Sequence, residues 1–106
     1  MIQTFANATA ADLFHGANTK AARVIDKALW PIVRRKLDMV NAAAAVPDLR
    51  VPPGNQLEAL RGNQEGRFSI RVNLQYRITF RFENGHAFDV RCEDLNRTGN
   101  FGGWIH

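Results

Sequence analysis

The sequence is poor in the residues that cross-link or metallate a small domain. Its 106 residues include one cysteine, Cys92. A lone thiol excludes an intrachain disulfide and a cysteine-rich metal site. Three histidines, His15, His86 and His106, are scattered along the chain without zinc spacing. There is no P-loop, dinucleotide fingerprint or serine-triad motif. A metal enzyme is therefore not expected, and no cofactor is implied. No run approaches the ~20 apolar residues that a membrane span requires. The N-terminus lacks the basic flank and apolar core of a signal peptide. These absences together predict a reduced, cytoplasmic setting.

Charge of one sign is in modest excess. Lys and Arg number 14 against 10 Asp and Glu, a net charge of +4. Such a balance permits nucleic-acid contact without requiring it. The length suits one domain with one core, expected over residues 1–96, with a tail at 97–106. In that tail Gly102-Gly103 precedes Trp104 and His106.

Along the chain, Ile2 to Phe5 is compatible with a first strand. Cap-type residues from Asn7 precede Leu13 and Phe14, which predicts a short helix ended by Gly16 and Asn18. A helical stretch carrying Val24, Ile25, Ala28 and Leu29 follows. Pro31 belongs in a first helical turn, so either Asp26 caps a helix that contains it or the chain breaks at Trp30. Val33, Leu37, Val40 and Ala44 form one helical stripe. Ala42 to Ala45 continues that helix and Pro47 stops it. Arg34, Arg35 and Lys36 lie off the stripe, either as a solvated face or as a contact for structured RNA.

The most patterned stretch is Leu57 to Phe80. Phe68, Ile70 and Val72 share one parity, as do Tyr76, Ile78 and Phe80; period-two alternation marks half-buried strands. The opposite parity carries Ser69, Arg71, Asn73, Arg77, Thr79 and Arg81. One face is apolar and the other bears guanidinium groups. Opposed residues of an antiparallel pair must share a face. A three-residue loop, Glu83 to Gly85, satisfies this by opposing Phe80 to Phe88 and Ile78 to Val90. Phe88, Val90 and Cys92 then join the apolar face, and Asp89, Arg91 and Glu93 the polar one. The predicted fold is α+β, a β-α-α-β-β-β plan with two helices packed on one face of a twisted, mainly antiparallel sheet.

The run VPPGNQLEALRGNQEGRFSIRVNLQYRITFRF, followed by NGHAFDVRCED, resembles the HigB branch of the RelE-like toxins of bacterial type II toxin–antitoxin systems. The resemblance covers residues 35–96 and is most specific over Pro52 to Gly62 and Ser69 to Phe80. It implies a metal-independent endoribonuclease that cleaves messenger RNA in the ribosomal A site. It also implies a HigA-like helix-turn-helix antitoxin as partner, with DNA reached only through that antitoxin. By position it assigns catalysis to Arg61, Arg77, Asp94 and Asn96. Arg71, Arg81, Arg34, Arg35 and Lys36 become candidate RNA contacts. Guanidinium groups suit such a site because they grip phosphate bidentately and stay charged.

Two features temper these assignments. The arginines have possible ionic partners across the sheet in Glu58, Glu65, Asp89 and Glu93, which would make them structural. The family also ends on an aromatic and a histidine, where this chain has Leu95 and Asn96. Leucine offers no such π-face and asparagine does not titrate. That departure supports an alternative, a toxin-fold binding module with weak or no catalysis. Such a module would bind RNA or an antitoxin and modulate transcriptional autoregulation.

Overall fold

A computed structural model of the protein describes residues 1–94. Helix α1 spans Ala8–Phe14, and the Asn7 side chain caps it by accepting from the Ala10 amide at 3.0 Å. Helix α2 spans Trp30–Ala42 with Pro31 in its first turn, where a missing N–H costs nothing. Asp26 caps a single 3-10 turn, Lys27–Leu29, that runs directly into α2. The chain thus does not break at Trp30. The stretch before it is less helical than predicted, with only 3-10 turns at Ala22–Val24 and Lys27–Leu29. The alanine run also does not extend α2: Ala43 is already extended, and Pro47 falls inside a separate 3-10 turn, Val46–Arg50.

Four strands follow: β1 (Glu58–Ala59), β2 (Arg67–Arg71), β3 (Tyr76–Glu83) and β4 (His86–Asp94). They form an antiparallel meander in the order β1-β2-β3-β4. The N-terminal segment lies parallel to β4 through isolated bridges, Ile2 with Ala87 and Phe5 with Val90. It thereby covers an edge that would otherwise expose unpaired backbone groups. Both helices pack on one sheet face, as the α+β plan requires. Val33, Leu37 and Val40 of α2 and Leu13 of α1 bury against Ile70, Ile78, Phe80 and Val90. Among the described residues no helix is long and apolar enough to cross a membrane.

The β3–β4 hairpin corrects the predicted loop. Glu83 pairs with His86, so the connection is the two residues Asn84 and Gly85. Both have positive φ, 51° and 80°, the signature of the tight turn whose twist matches the strands. Continued without interruption, that register would place Ile78 opposite Arg91 and mix the faces. One extra residue restores parity. Arg81 pairs with Phe88 but Thr79 pairs with Arg91 and Ile78 with Cys92, so a bulge lies between. Asp89 carries it at φ 52°, a conformation aspartate tolerates better than most residues. Val90 and Cys92 remain on the apolar face as expected. Phe88 does not: it sits opposite Arg81, and Ala87 takes the core position instead.

Candidate functional site: an arginine-rich sheet face

The sheet face turned away from the helices is built by register. Arg71, Arg77 and Glu93 form one row, and Glu58, Ser69, Thr79 and Arg91 the next; Arg67, Arg81 and Phe88 form the third. Arg81 is neutralised locally, by Glu83 at 2.9 Å and Asp89 at 3.0 Å, with its guanidinium 5.2 Å from the Phe88 ring centre. The Arg81 bond holds the Asp89 carboxyl below the usual carboxylate range, against a smaller opposing effect of burial. Among the described residues, the four arginines that remain share this face with the carboxylates Glu58 and Glu93, and Asp89 also acts on Arg67. The surplus is positive.

Much of this face is enclosed rather than solvated. Arg77 is fully buried (0 % exposed), and one terminal nitrogen donates to the Gln56 carbonyl at 2.7 Å. Burial lowers its pKa; the nearby Glu58 opposes that shift and Arg71 adds to it. Glu58, one of the expected ionic partners across the sheet, thus stands beside Arg77 together with the Gln56 carbonyl. Arg61 itself is exposed, one residue beyond the Leu60 amide that donates to the Arg67 carbonyl. Arg71 and Arg91 are half-buried.

Arg67 was not singled out by sequence, although it shares the parity of Ser69 and Arg71. It is buried, donating to Thr79 Oγ1 at 3.0 Å and to the Asp89 carbonyl at 2.8 Å. Thr79 in turn donates to Glu93 Oε2 at 2.6 Å. This Arg67–Thr79–Glu93 chain ties three strands together beneath the exposed groups. Burial lowers the Arg67 pKa, Arg91 adds to the shift, and Glu93 and Asp89 oppose it.

The remaining candidates lie elsewhere. Arg34 and Arg35 are exposed on α2, in the helical layer, and Arg34 Nε donates to the Leu13 carbonyl at 3.2 Å. Lys36 leaves their surface: it is buried, and its ammonium donates to Asn55 Oδ1. The expectation of one basic helix face comprising Arg34, Arg35 and Lys36 therefore does not hold for Lys36, which sits next to the Leu37 stripe. Asp94 pairs with Tyr76, one step out of register from the Arg77–Glu93 pair. It accepts from Gln75 Nε2 at 3.0 Å and lines a cleft of about 470 Å³ with Asn7, Thr9, Ile25, Tyr76 and Cys92. Asp94 and Arg77 thus belong to opposite sheet faces by register. In the same cleft wall, burial pushes the Cys92 thiol up to about 12, with Glu93 and Asp94 adding to the effect, so it stays protonated and unreactive near neutral pH. Asn96, Leu95 and the tail with Trp104 and His106 lie outside the described residues.

Comparison with known proteins agrees with this architecture. Residues 3–93 match the family described as RelE-like toxin of type II toxin-antitoxin system HigB. The chain is 46% identical over 71 residues to Toxin HigB-1 of Vibrio cholerae serotype O1, covering 67% of this chain and 75% of that protein. It is 45% identical over 59 residues to an uncharacterized protein of Haemophilus influenzae, covering 56% of this chain and 58% of that one. It is 44% identical over 41 residues to Endoribonuclease HigB of Proteus vulgaris, covering 39% of this chain and 45% of that one. A match that spans both helices and nearly the whole sheet leaves one conclusion: this chain belongs to the HigB-like family of RelE-like toxins from type II toxin–antitoxin systems.

Proposed function

We propose that this chain is a ribosome-dependent endoribonuclease toxin that cleaves messenger RNA in the A site and inhibits translation. A cognate HigA-like helix-turn-helix antitoxin neutralises it. The observation that carries this reading is the arginine-rich sheet face, with Arg61 at solvent, Arg71 half-buried and Arg77 held beneath. Similarity to a protein named Endoribonuclease HigB adds support. RNA cleavage by the neighbouring 2′-hydroxyl needs charge stabilisation on the phosphoryl oxygens and proton transfer at both ends. Arg61, at solvent, would meet phosphate directly. Arg77 reaches it only when the residues enclosing it move aside, and until then supplies charge from below. The cytoplasmic setting follows from a ribosomal substrate.

The second reading is a binding module of the same fold with little catalysis, favoured by Leu95 and Asn96 in place of the aromatic–histidine ending. One experiment separates the two. Wild-type, Arg61→Ala and Arg77→Lys proteins are compared for message cleavage on purified ribosomes under single-turnover conditions. Loss of one well-placed donor commonly costs ~10²–10³ in rate. A lysine keeps charge without the planar fork, so Arg77→Lys should retain only part of the activity. Rates equal to wild type in both variants would remove these arginines from the mechanism. No cleavage by wild type, with activity gained on Leu95→Tyr plus Asn96→His, would establish the binding module.

A further inference from the structure

Lys36 is a buried cation (6 % exposed) that forms no salt bridge with a carboxylate among the described residues. Burying an ammonium against a neutral amide is unfavourable, and an apolar side chain of similar volume would fill the space without that cost. Its contact identifies what the cation holds. The Lys36 ammonium donates to Oδ1 of Asn55, a residue with no exposed surface. Asn55 Nδ2 donates to the Leu49 carbonyl at 3.1 Å and the Val51 carbonyl at 3.4 Å, while its backbone amide bonds the Pro52 carbonyl at 3.0 Å. One side chain therefore clamps the segment 49–55, and Lys36 fixes that clamp to α2.

The next residue transmits the constraint. Gln56 is left-handed, φ 45° and ψ 56°, with its amide on the Pro53 carbonyl at 3.0 Å. Few non-glycine residues adopt this conformation without support from their surroundings. It directs the Gln56 carbonyl at the Arg77 guanidinium. A continuous path of hydrogen bonds and one peptide unit thus runs from α2, in the helical layer, to the arginine on the opposite sheet face. We propose that Lys36 and Asn55 are positioning residues for Arg77, acting through the Gln56 carbonyl; this rests on the reading of the arginine face as the reacting face.

The test joins kinetics to a measurement that needs no activity. Lys36→Met removes the donor at nearly constant volume, Lys36→Arg restores one, and Lys36→Gln, shorter by one bond, serves if the methionine variant does not fold. Single-turnover cleavage on ribosomes should fall tenfold or more in Lys36→Met, with the half-saturating ribosome concentration changed less than twofold. In an Arg77→Lys background the same change should cost less than twofold, because the group it positions is gone. Lys36→Arg should recover part of the rate. A general structural defect would instead cost the same factor in both backgrounds, which would overturn the proposal. In the resting protein, the Arg77 Nε–H resonance should broaden in Lys36→Met while that of Arg67 stays unchanged. An unaltered Arg77 resonance would also overturn it. If wild type itself does not cleave, the catalytic reading fails and the resonance alone decides the positioning.

Discussion

At the scale of single residues, this sheet face shows how charge type and charge environment separate. Arg81 and Arg77 share a strand and a parity, yet Arg81 is committed to two carboxylates and a ring, and Arg77 to a backbone carbonyl in a closed space. Arg81 also fixes Asp89, whose folded carboxyl titrates below its ordinary range. The unfolded chain then binds a proton more readily than the folded one, so the pair stabilises the fold above the ordinary carboxylate pKa. That contribution disappears as pH falls through the depressed folded value. Urea unfolding of wild type and Asp89→Asn should differ at pH 6 and converge below pH 3. A gap independent of pH would show that Asp89 acts through its backbone conformation alone. Half-exposure and salt screening keep the effect small.

At the scale of elements, the β3–β4 hairpin carries two exceptions that correct each other. The two-residue turn at Asn84-Gly85 shifts register by one, and the Asp89 bulge shifts it back. Ile78 consequently meets Cys92 and stays fully buried. Truncating Ile78 to alanine should cost about 2–5 kcal/mol, measurable by denaturant unfolding; less than 1 kcal/mol would mean that the core closes around the gap. Gly85→Ala tests the turn. At φ 80° a Cβ is strained even though the nearest atom, the Ala44 carbonyl oxygen, is 3.5 Å away. The expected loss is roughly 1–2 kcal/mol. A neutral result would show that the turn relaxes to another type. Matching the two faces requires one extra residue; alternation alone suggests the loop for it, whereas the chain places it in the strand. Both satisfy parity for Val90 and Cys92, and only the fate of Phe88 distinguishes them.

At the scale of the whole molecule, the helical layer and the arginine face lie on opposite sides of one sheet. An antitoxin has either available. Leu74 (85 % exposed) between β2 and β3 and Val24 on a 3-10 turn are exposed apolar groups outside the four strands. If the antitoxin grips these apolar groups, Val24→Asp plus Leu74→Asp should weaken a co-purified complex at least tenfold by calorimetry while leaving intact the ribosomal cleavage proposed for the free toxin. Loss of cleavage with an intact complex would place these residues on the ribosome-facing side instead.

Several features were legible in the sequence alone. Asn7 capping, Pro31 in a first turn, the Val33–Leu37–Val40 stripe and the alternation of β2 and β3 follow from short-range sterics and periodicity. Local pattern dictates them, so they could be stated before any coordinates. The Pro52 to Phe80 block likewise sufficed to name a family. Alternation assigns a side chain to a face, however, and does not say what covers that face. The burial of Arg77 depends on surroundings that include Gln56, 21 residues away in the chain, and Lys36 is anchored by Asn55, 19 residues away. Phe88 leaves the apolar face because the extra residue sits in β4 at Asp89 rather than in the loop. Those outcomes come from contacts between distant segments, and only the tertiary structure decided them.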